Sequence, residues 1–176
     1  MRVIGGEFRS RKLKTVPGLA TRPTPDRLRE TMFNILQSRV EGTLFLDAYA
    51  GTGAVGIEAL SRGARRAIFV DRSRSAVKVI RENLVTLGLM ARAEVFCGKA
   101  LQVIERMSPE IAFLDPPYEL EDEYAAALGL STASLVIAQH AFETKLAEQY
   151  GGLSRKRQVR QGDNVLSFYE RIILES

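Results

Sequence analysis

Short apolar runs alternate with longer amphipathic segments along most of the chain. Runs of four or five residues, rich in branched and aromatic side chains, predict strands at 44–47, 67–71, 93–97, 111–114 and 134–138. Apolar positions at helical spacing predict helices at 27–37, 73–87, 99–107 and 140–149, and one more beginning near Ile57. Strands that alternate with helices form a parallel sheet covered on both faces.

A hairpin is predicted near each end of the chain. Residues 2–16 alternate irregularly around Gly5-Gly6 and predict a short hairpin. Residues 157–160 and 165–173 flank Gln161-Gly162-Asp163-Asn164, a turn signal, and predict a closing antiparallel pair. The predicted fold class is α/β, with a mostly parallel seven-stranded sheet, helices on both faces and a C-terminal antiparallel hairpin.

The first amphipathic run has a defined start. Thr24 is the predicted N-cap and Pro25 the first helical residue, where a missing N–H is harmless. One face is apolar and should cover the sheet, while the charged residues lie elsewhere. The apolar face holds Leu28, Met32, Ile35 and Leu36, and the charged residues are Arg27, Arg29 and Glu30.

Length and composition indicate a soluble globular protein. The chain has 176 residues, 45% hydrophobic and 26% charged, and we expect an arm at 1–20 and one globular domain at 21–176. No apolar run approaches the roughly 20 residues of a membrane span, and the first residues lack a signal-peptide core, so a cytoplasmic location is expected. Cys97 and His140 are the only residues of their types, which excludes a disulfide or Cys/His zinc site within one chain. We expect Cys97 to be a buried strand residue.

Positive charge is concentrated at the N-terminus. The net charge is +4, and residues 1–15 hold five basic side chains against only Glu7. Such an arm suits contacts to phosphates, although a solvated tail would have the same composition. A second basic cluster near the C-terminus is equally consistent with the exposed face of an edge strand. The arm residues are Arg2, Arg9, Arg11, Lys12 and Lys14, and the second cluster is Arg155, Lys156, Arg157 and Arg160.

A glycine-rich turn follows the first predicted strand. Gly51 and Gly53 can adopt backbone conformations barred to other residues, and the helix after Gly56 directs unpaired N–H groups toward a ligand. The turn therefore predicts a nucleotide-cofactor cradle. Its spacing alone fits both NAD and S-adenosylmethionine (SAM), and a plain strand-to-helix turn would also need glycines.

Acidic residues at strand ends favour SAM. Asp47 would repel a pyrophosphate but attract a sulfonium or ammonium group. Asp71 ends the second strand 18 residues after Gly53 and can accept both ribose hydroxyls. It could instead cap the next helix, but Ser73 is available for that role.

The segment Asp115-Pro116-Pro117-Tyr118 ends the fourth strand and suits methyl transfer to a nucleobase amine. The lone pair of such an amine is delocalised into the ring. Asp115 can accept one amine hydrogen while a backbone carbonyl of the rigid diproline turn accepts the other, which favours a tetrahedral nitrogen. Tyr118 offers a flat surface for stacking the base, and no metal is required.

Four segments together resemble a known family. These are R-V-I-G-G-E-F-R-S-R-K-L at 2–13, R-P-T-P-D-R-L-R-E-T-M-F-N-I-L at 22–36, D-A-Y-A-G-T-G-A-V-G-I-E-A-L-S-R-G-A at 47–64 and D-P-P-Y at 115–118. They resemble the class I SAM-dependent amino-methyltransferases of nucleic acids, and more narrowly the bacterial RsmD family. That family methylates the N2 amine of a guanine in small-subunit (16S) ribosomal RNA. The resemblance implies a Rossmann-like class I fold, SAM as cofactor and a monomer acting on rRNA within a partly assembled small subunit.

The resemblance also implies site residues. The methionine end of SAM would lie against Asp47, Gly51 and Gly53, the ribose against Asp71, and the guanine against residues 115–118. Expected cofactor contacts are Arg22, Thr24, Asp47, Ala48, Gly51, Thr52, Gly53, Asp71, Arg72 and Ala100, and expected RNA contacts are Arg2, Arg9, Arg11, Lys12, Lys14 and Arg27.

Three positions depart from the family pattern and keep alternatives open. Lys99 stands where relatives often carry Asp or Asn, and Gln139 stands where an acid is common. Gln161 replaces a frequent aromatic residue. D-P-P-Y suits adenine N6 or cytosine N4 in DNA or RNA equally well. The departures also allow a non-catalytic RNA-binding assembly factor. An NAD-dependent dehydrogenase is disfavoured because the chain lacks room for a substrate domain.

Overall fold

The computed structural model describes residues 1–18 and 24–174. The strands are β1 (Leu44–Asp47), β2 (Arg66–Asp71), β3 (Ala93–Cys97), β4 (Ile111–Leu114), β5 (Leu135–Ala141), β6 (Gln149–Tyr150), β7 (Leu153–Gln161) and β8 (Asn164–Arg171). The helices are α1 (Asp26–Leu36), α2 (Ala54–Ser61), α3 (Arg74–Thr86), α4 (Ala100–Arg106) and α5 (Glu123–Leu130). Short 3-10 helices cover Gln37–Val40, Met90–Arg92 and Tyr118–Leu120.

One sheet runs through this part of the chain in the order β3-β2-β1-β4-β5-β8-β7-β6. The first five strands in that order are parallel, and β8, β7 and β6 continue the sheet antiparallel. The predicted α/β fold with its closing hairpin is confirmed. The predicted count of seven strands is wrong, because the two-residue β6 pairs with β7 and is too short to leave an apolar run.

The two faces of the sheet carry different helices. Phe45, Phe113 and Ile137 belong to a core shared with α1, α2 and α3. Their sequence neighbours on the other face share a second core with α4 and α5. Because side chains alternate along a strand, Asp47 and Gln139 lie on the same face as α1, α2 and α3.

The N-terminal segment is a short hairpin fastened to α2. Its two sides pair antiparallel at Arg2 and Lys12, with backbone hydrogen bonds from Val3 to Arg11 and from Leu13 to Met1. The buried Glu58 carboxylate accepts the N–H groups of Ile4 (2.8 Å) and Gly5 (2.9 Å). At Gly6, which has φ +78°, a Cβ would lie 2.0 Å from a carbonyl oxygen of α2, so this close approach requires glycine.

Arg29 lies off the predicted apolar face of α1 and is nevertheless buried. Its side chain is fully buried, 3.3 Å from Glu58 and 3.1 Å from Asp26, and it donates to the Arg2 carbonyl. A buried cation is tolerated only beside a partner charge. Glu58 provides that charge from α2, 29 residues away in sequence, where a helical pattern cannot reveal it.

Three local predictions are wrong. Pro25, not Thr24, is the N-cap of α1, and no side chain caps that end. The helix predicted at 140–149 does not form, because β5 continues to Ala141 in register with β8. Cys97 is exposed because β3 lies at the sheet edge. The pattern also missed α5, a short helix of mostly small residues.

Candidate active site

The carboxyl ends of β1, β2 and β4 meet at one edge of the sheet, and each is followed or ended by an acid. Asp47 ends β1, Asp71 ends β2, and Asp115 follows β4 directly. The central strand β1 lies between β2 and β4. Ligands in open parallel sheets bind at this edge, so the structure brings the three predicted carboxylates to the expected place.

The glycine loop lies above this edge. Gly51 and Gly53 have φ of +56° and +82°, and Gly53 is the N-cap of α2. A Cβ at Gly51 would meet no atom within 4 Å, so backbone conformation and not crowding calls for glycine there. At Gly56 a Cβ would lie 2.3 Å from the Phe69 ring, so glycine lets α2 lie close against β2.

Asp47 is buried beneath the loop and holds it. Its Oδ2 accepts the N–H of Gly56 at 2.9 Å. Burial raises the pKa of Asp47 to about 8, and the negative charges of Asp115 and Asp71 add to the rise, while the Gly56 N–H opposes it. The neighbouring Ala48 is also buried, whereas Thr52 is only half-buried.

Asp71 braces the loop from the second strand. Its Oδ2 accepts the N–H of Gly51 and its Oδ1 that of Ser73, each at 2.9 Å. Ser73 is the N-cap of α3, with its side chain accepting from Ala76 at 3.3 Å. Helix capping is thus the work of Ser73, as predicted. The half-buried Asp71 carboxylate keeps free lone pairs for a ligand hydroxyl.

Asp115 is a carboxylate without a hydrogen-bond partner among the described residues. Burial raises its pKa to about 7. Pro116 is buried, Pro117 has φ −62° and ψ 158°, and Tyr118 begins a 3-10 helix with 79% of its surface exposed. The segment thus presents an unpaired acid, a rigid turn and a free aromatic face.

The other predicted cofactor residues follow β2 or β3 or lie just before α1. Arg72 follows Asp71 and forms an ion pair with Glu119, which links this loop to the segment at 115–118. Ala100 is buried in the first turn of α4, and the exposed Lys99 is its N-cap. Thr24 is buried just before α1, whereas Arg22 lies outside the described residues.

Several residues behind the site had no signal in the sequence. The Tyr49 hydroxyl donates to Glu123 at 2.6 Å and joins the loop after β1 to α5. Buried Asn83 of α3 donates to the carbonyls of Thr52 and Lys14, each at 3.1 Å, and so ties the glycine loop to the N-terminal hairpin. These contacts span tens of residues, which local patterns do not report.

Gln139 was singled out in the sequence only because it departs from the family pattern. It follows the last β4–β5 pair, Leu114 with Ala138, on β5, just as Asp115 follows that pair on β4. The side chain is 6% exposed and its Oε1 has no partner in the described part of the chain. The Gln139 carbonyl, in contrast, accepts the Tyr124 hydroxyl. A buried acceptor without a donor costs free energy that a ligand can recover.

The predicted RNA residues are mostly free at the surface. Arg2, Arg9, Lys12 and Arg27 are exposed. Lys14 forms an ion pair with Glu82 at 3.2 Å, and the Arg11 guanidinium is 3.5 Å from the Thr86 carbonyl. The hairpin therefore lies along α3.

Within residues 1–18 and 24–174, no group of three or more His, Cys, Asp or Glu side chains is arranged to hold a metal ion. No helix in these residues is both long and apolar enough to cross a bilayer.

Comparison with known proteins identifies relatives along nearly the whole chain. The sequence model of the family described as conserved hypothetical protein 95 matches residues 1–170. YlbH of Bacillus subtilis (strain 168), named for an rRNA methyltransferase activity, is 36% identical, and the alignment covers 97% of this chain and 99% of YlbH. The ribosomal RNA small subunit methyltransferase D of Escherichia coli (strain K12) is 39% identical over 67% of this chain and 60% of that protein.

Solved structures agree with these relatives. The protein yhhF from Escherichia coli has a TM-score of 0.84 at 31% identity, with 98% of each chain covered. An RNA methyltransferase from Salinibacter ruber, in complex with S-adenosyl-L-homocysteine, shares the fold with a TM-score of 0.69 at 16% identity, covering 88% of this chain and 97% of that one. The chain belongs to the conserved hypothetical protein 95 family, which is the RsmD family that its sequence resembles.

Proposed function

We propose that this chain transfers a methyl group from SAM to the exocyclic N2 amine of a guanine in small-subunit rRNA. The observation that carries the proposal is the unpaired Asp115 carboxylate, held between a rigid diproline turn and the edge that carries the glycine loop. Relatives in Escherichia coli and Haemophilus influenzae bear the name of small-subunit rRNA methyltransferases, which supports the substrate class.

SAM suits the residues at the strand ends. The backbone of Gly51 leaves an open approach, and Asp71 retains lone pairs for ribose hydroxyls. Asp47 adds negative potential beneath the loop for a cationic ligand once it is ionised. Bound there, SAM would supply an electrophilic methyl group. The Salinibacter ruber neighbour, crystallised with the demethylated product, supports the same cofactor class.

Asp115 orients the nucleophile in this proposal. Its carboxylate accepts one hydrogen of the guanine amine, and a carbonyl of the diproline turn accepts the other, so the nitrogen lone pair leaves the ring plane. The methylated nitrogen is cationic and releases its proton readily. A carboxyl group with a pKa of about 7 can receive that proton near neutral pH. Tyr118, 79% exposed, stacks on the base.

Gln139 adds an acceptor for the guanine edge. Guanine presents N1–H beside its N2 amine, whereas the matching ring nitrogens of adenine and cytosine are acceptors. In this proposal the unpaired Oε1 of Gln139, on the strand next to β4, accepts the N1–H of guanine. The same site with a different target, adenine N6 or cytosine N4, is the alternative enzymatic reading. A non-catalytic RNA-binding assembly factor is the alternative without enzymatic activity.

The substrate class is tested by methyl incorporation from labelled SAM. Hypomethylated small subunits, naked small-subunit rRNA and DNA are compared at equal concentration. We expect incorporation into the ribosomal substrates and none into DNA. Incorporation into DNA alone would change the proposed target to a DNA base. No incorporation into any substrate, together with no SAM binding, would favour the assembly factor. That the protein is a cytoplasmic monomer stays a prediction, as does its action on a partly assembled subunit. Ordered addition of subunit proteins to the rRNA tests the second of these.

Replacing Gln139 by Leu should lower kcat/KM for methyl transfer about tenfold, because one buried hydrogen bond to the base is lost. SAM affinity should stay within twofold. Gln102→Leu, on the exposed side of α4, is a matched control. Steady-state kinetics together with calorimetric SAM binding measure both quantities. Equal kcat/KM for the Gln139→Leu variant and the wild type would remove Gln139 from base recognition.

Stability of the ligand-free protein should fall as pH rises from 5 to 7. The folded-state pKa of Asp47, about 8, is above its unfolded value of 3.8, so the folded state holds a proton that the unfolded chain has released. That stability is complete below pH 4 and is lost as pH rises through 8. Asp47→Asn should therefore make the fall of the unfolding free energy between pH 5 and 7 less steep, by roughly 1 kcal/mol per pH unit. Urea unfolding at pH 5, 6 and 7 tests this, with exposed Asp163→Asn as control, and an unchanged slope would contradict it.

A further inference from the structure

The exposed side of α3 carries a stripe of cations that form no hydrogen bond or ion pair with the described residues of the hairpin or the strand-end site. Arg74, Lys78 and Arg81 are exposed and follow one another at spacings of four and three residues, and Val85 continues the stripe. Residues at these spacings share one face of a helix. From Arg74 to Arg81 the stripe is about 10 Å long at 1.5 Å per residue.

These three cations have no ion-pair partner among the described residues. The acid within the groove, Glu82, is bound to Lys14 at 3.2 Å. The stripe forms one wall of a groove of about 680 Å³, and Lys14 from the hairpin contributes to the lining. The remaining lining residues are Val77, Glu82, Val85, Thr86 and Cys97. Four cations against one acid leave the groove with a net charge of +3.

The groove is continuous with both functional regions. Arg74 follows Asp71 by three residues, and Cys97 Sγ lies 3.9 Å from the Arg72 carbonyl, so one end adjoins the strand-end site. At the other end, Arg11 of the hairpin reaches the Thr86 carbonyl at 3.5 Å. The cations of the hairpin therefore continue into those of α3.

We propose that this α3 groove binds the phosphate backbone of the substrate rRNA alongside the target nucleotide. The inference rests on the proposed function and extends it to residues that neither the motifs nor the resemblance assigned. Unpaired arginines and lysines in a line suit successive phosphates of one strand, because each contact releases a condensed counterion. An acidic protein segment is the competing partner for such a surface, but continuity with a basic hairpin and a nucleotide site favours RNA.

The first test replaces Arg74, Lys78 and Arg81 together by Ala. We expect affinity for a naked small-subunit rRNA fragment to fall about 10- to 100-fold at 0.1 M salt, and the slope of log K against log salt to decrease by about 2 to 3. Arg65→Ala with Arg106→Ala and Lys145→Ala removes three exposed cations outside both basic clusters and is the matched control. An unchanged slope in the α3 variant overturns the proposal. Lost affinity for small subunits with unchanged affinity for naked rRNA also overturns it, in favour of a ribosomal protein.

The second test uses the native chain. Cys97 is the only cysteine, is exposed and lines the groove. We expect saturating rRNA to slow maleimide labelling of Cys97 about tenfold in the wild type and in the control variant, and not in the α3 variant. Equal labelling rates without RNA in all three proteins verify folding. If Cys97 is not protected in an rRNA complex that is active in methyl transfer, the groove proposal is overturned and the proposed function is not. If rRNA protects Cys97 but no methyl is transferred, the proposed function is contradicted and the groove proposal is not.

Discussion

Asp115→Ala should lower kcat for methyl transfer about 100- to 10,000-fold, the largest effect that we expect from any single substitution. The variant loses the acceptor that orients the amine of the target base. Its SAM affinity should remain within threefold, because the glycine loop is held by Asp47 and Asp71 and not by Asp115. Single-turnover transfer from labelled SAM and calorimetric SAM binding measure the two quantities.

A matched control lies seven residues further along the chain. Asp122 precedes α5, is exposed, and makes no capping bond. Asp122→Ala should leave kcat within twofold of the wild type. Equal losses in both variants would indicate a general electrostatic effect of that loop. A fully active Asp115→Ala protein would exclude the carboxylate as the group that positions the amine.

Glu58→Ala should lower the free energy of unfolding by about 3–5 kcal/mol. The substitution leaves Arg29 buried beside only the half-exposed Asp26 and removes the acceptor of two hairpin N–H groups. Arg62 also loses its partner at 2.9 Å. Urea denaturation gives the magnitude, and hydrogen exchange at Ile4 should show that the hairpin detaches first.

Glu82→Ala provides the comparison for Glu58. It removes an exposed ion pair with Lys14, and such pairs contribute about 1 kcal/mol or less. We therefore expect the two glutamate variants to differ by several kcal/mol, although each removes one carboxylate from an ion pair. A loss below about 1 kcal/mol for Glu58→Ala would mean that Asp26 alone compensates the buried guanidinium.

The sequence was sufficient to place the strand ends but not the contacts between distant elements. Asp47, Asp71 and Asp115 lie where predicted, because apolar runs locate parallel strands and such strands end at a common edge. The roles of these residues in binding and catalysis stay predictions. The burial of Glu58 and Arg29 could not be predicted from the sequence, because a charged residue is compatible with a surface position until its buried partner is known.

Pairing in the sheet overrode local pattern in the C-terminal half. The helix predicted at 140–149 was wrong because Gln139 and His140 continue β5, where they lie opposite Leu166 and Val165 of β8. The His140 ring also meets the Ser167 hydroxyl at 2.8 Å. Partners more than 20 residues away thus decide the conformation of this segment.

Lys99, the other departure from the family pattern near the site, is exposed at the start of α4. Calorimetric SAM binding would measure its effect on cofactor affinity.

The most direct test of the central claim is the mass of the methylated nucleoside. Hypomethylated small subunits are incubated with the protein and labelled SAM, the rRNA is digested, and the nucleosides are separated by liquid chromatography and mass spectrometry. We expect N2-methylguanosine, formed by the wild type and absent with Asp115→Ala. Methylated adenosine or cytidine in its place, or N2-methylguanosine formed equally by the variant, would contradict that claim.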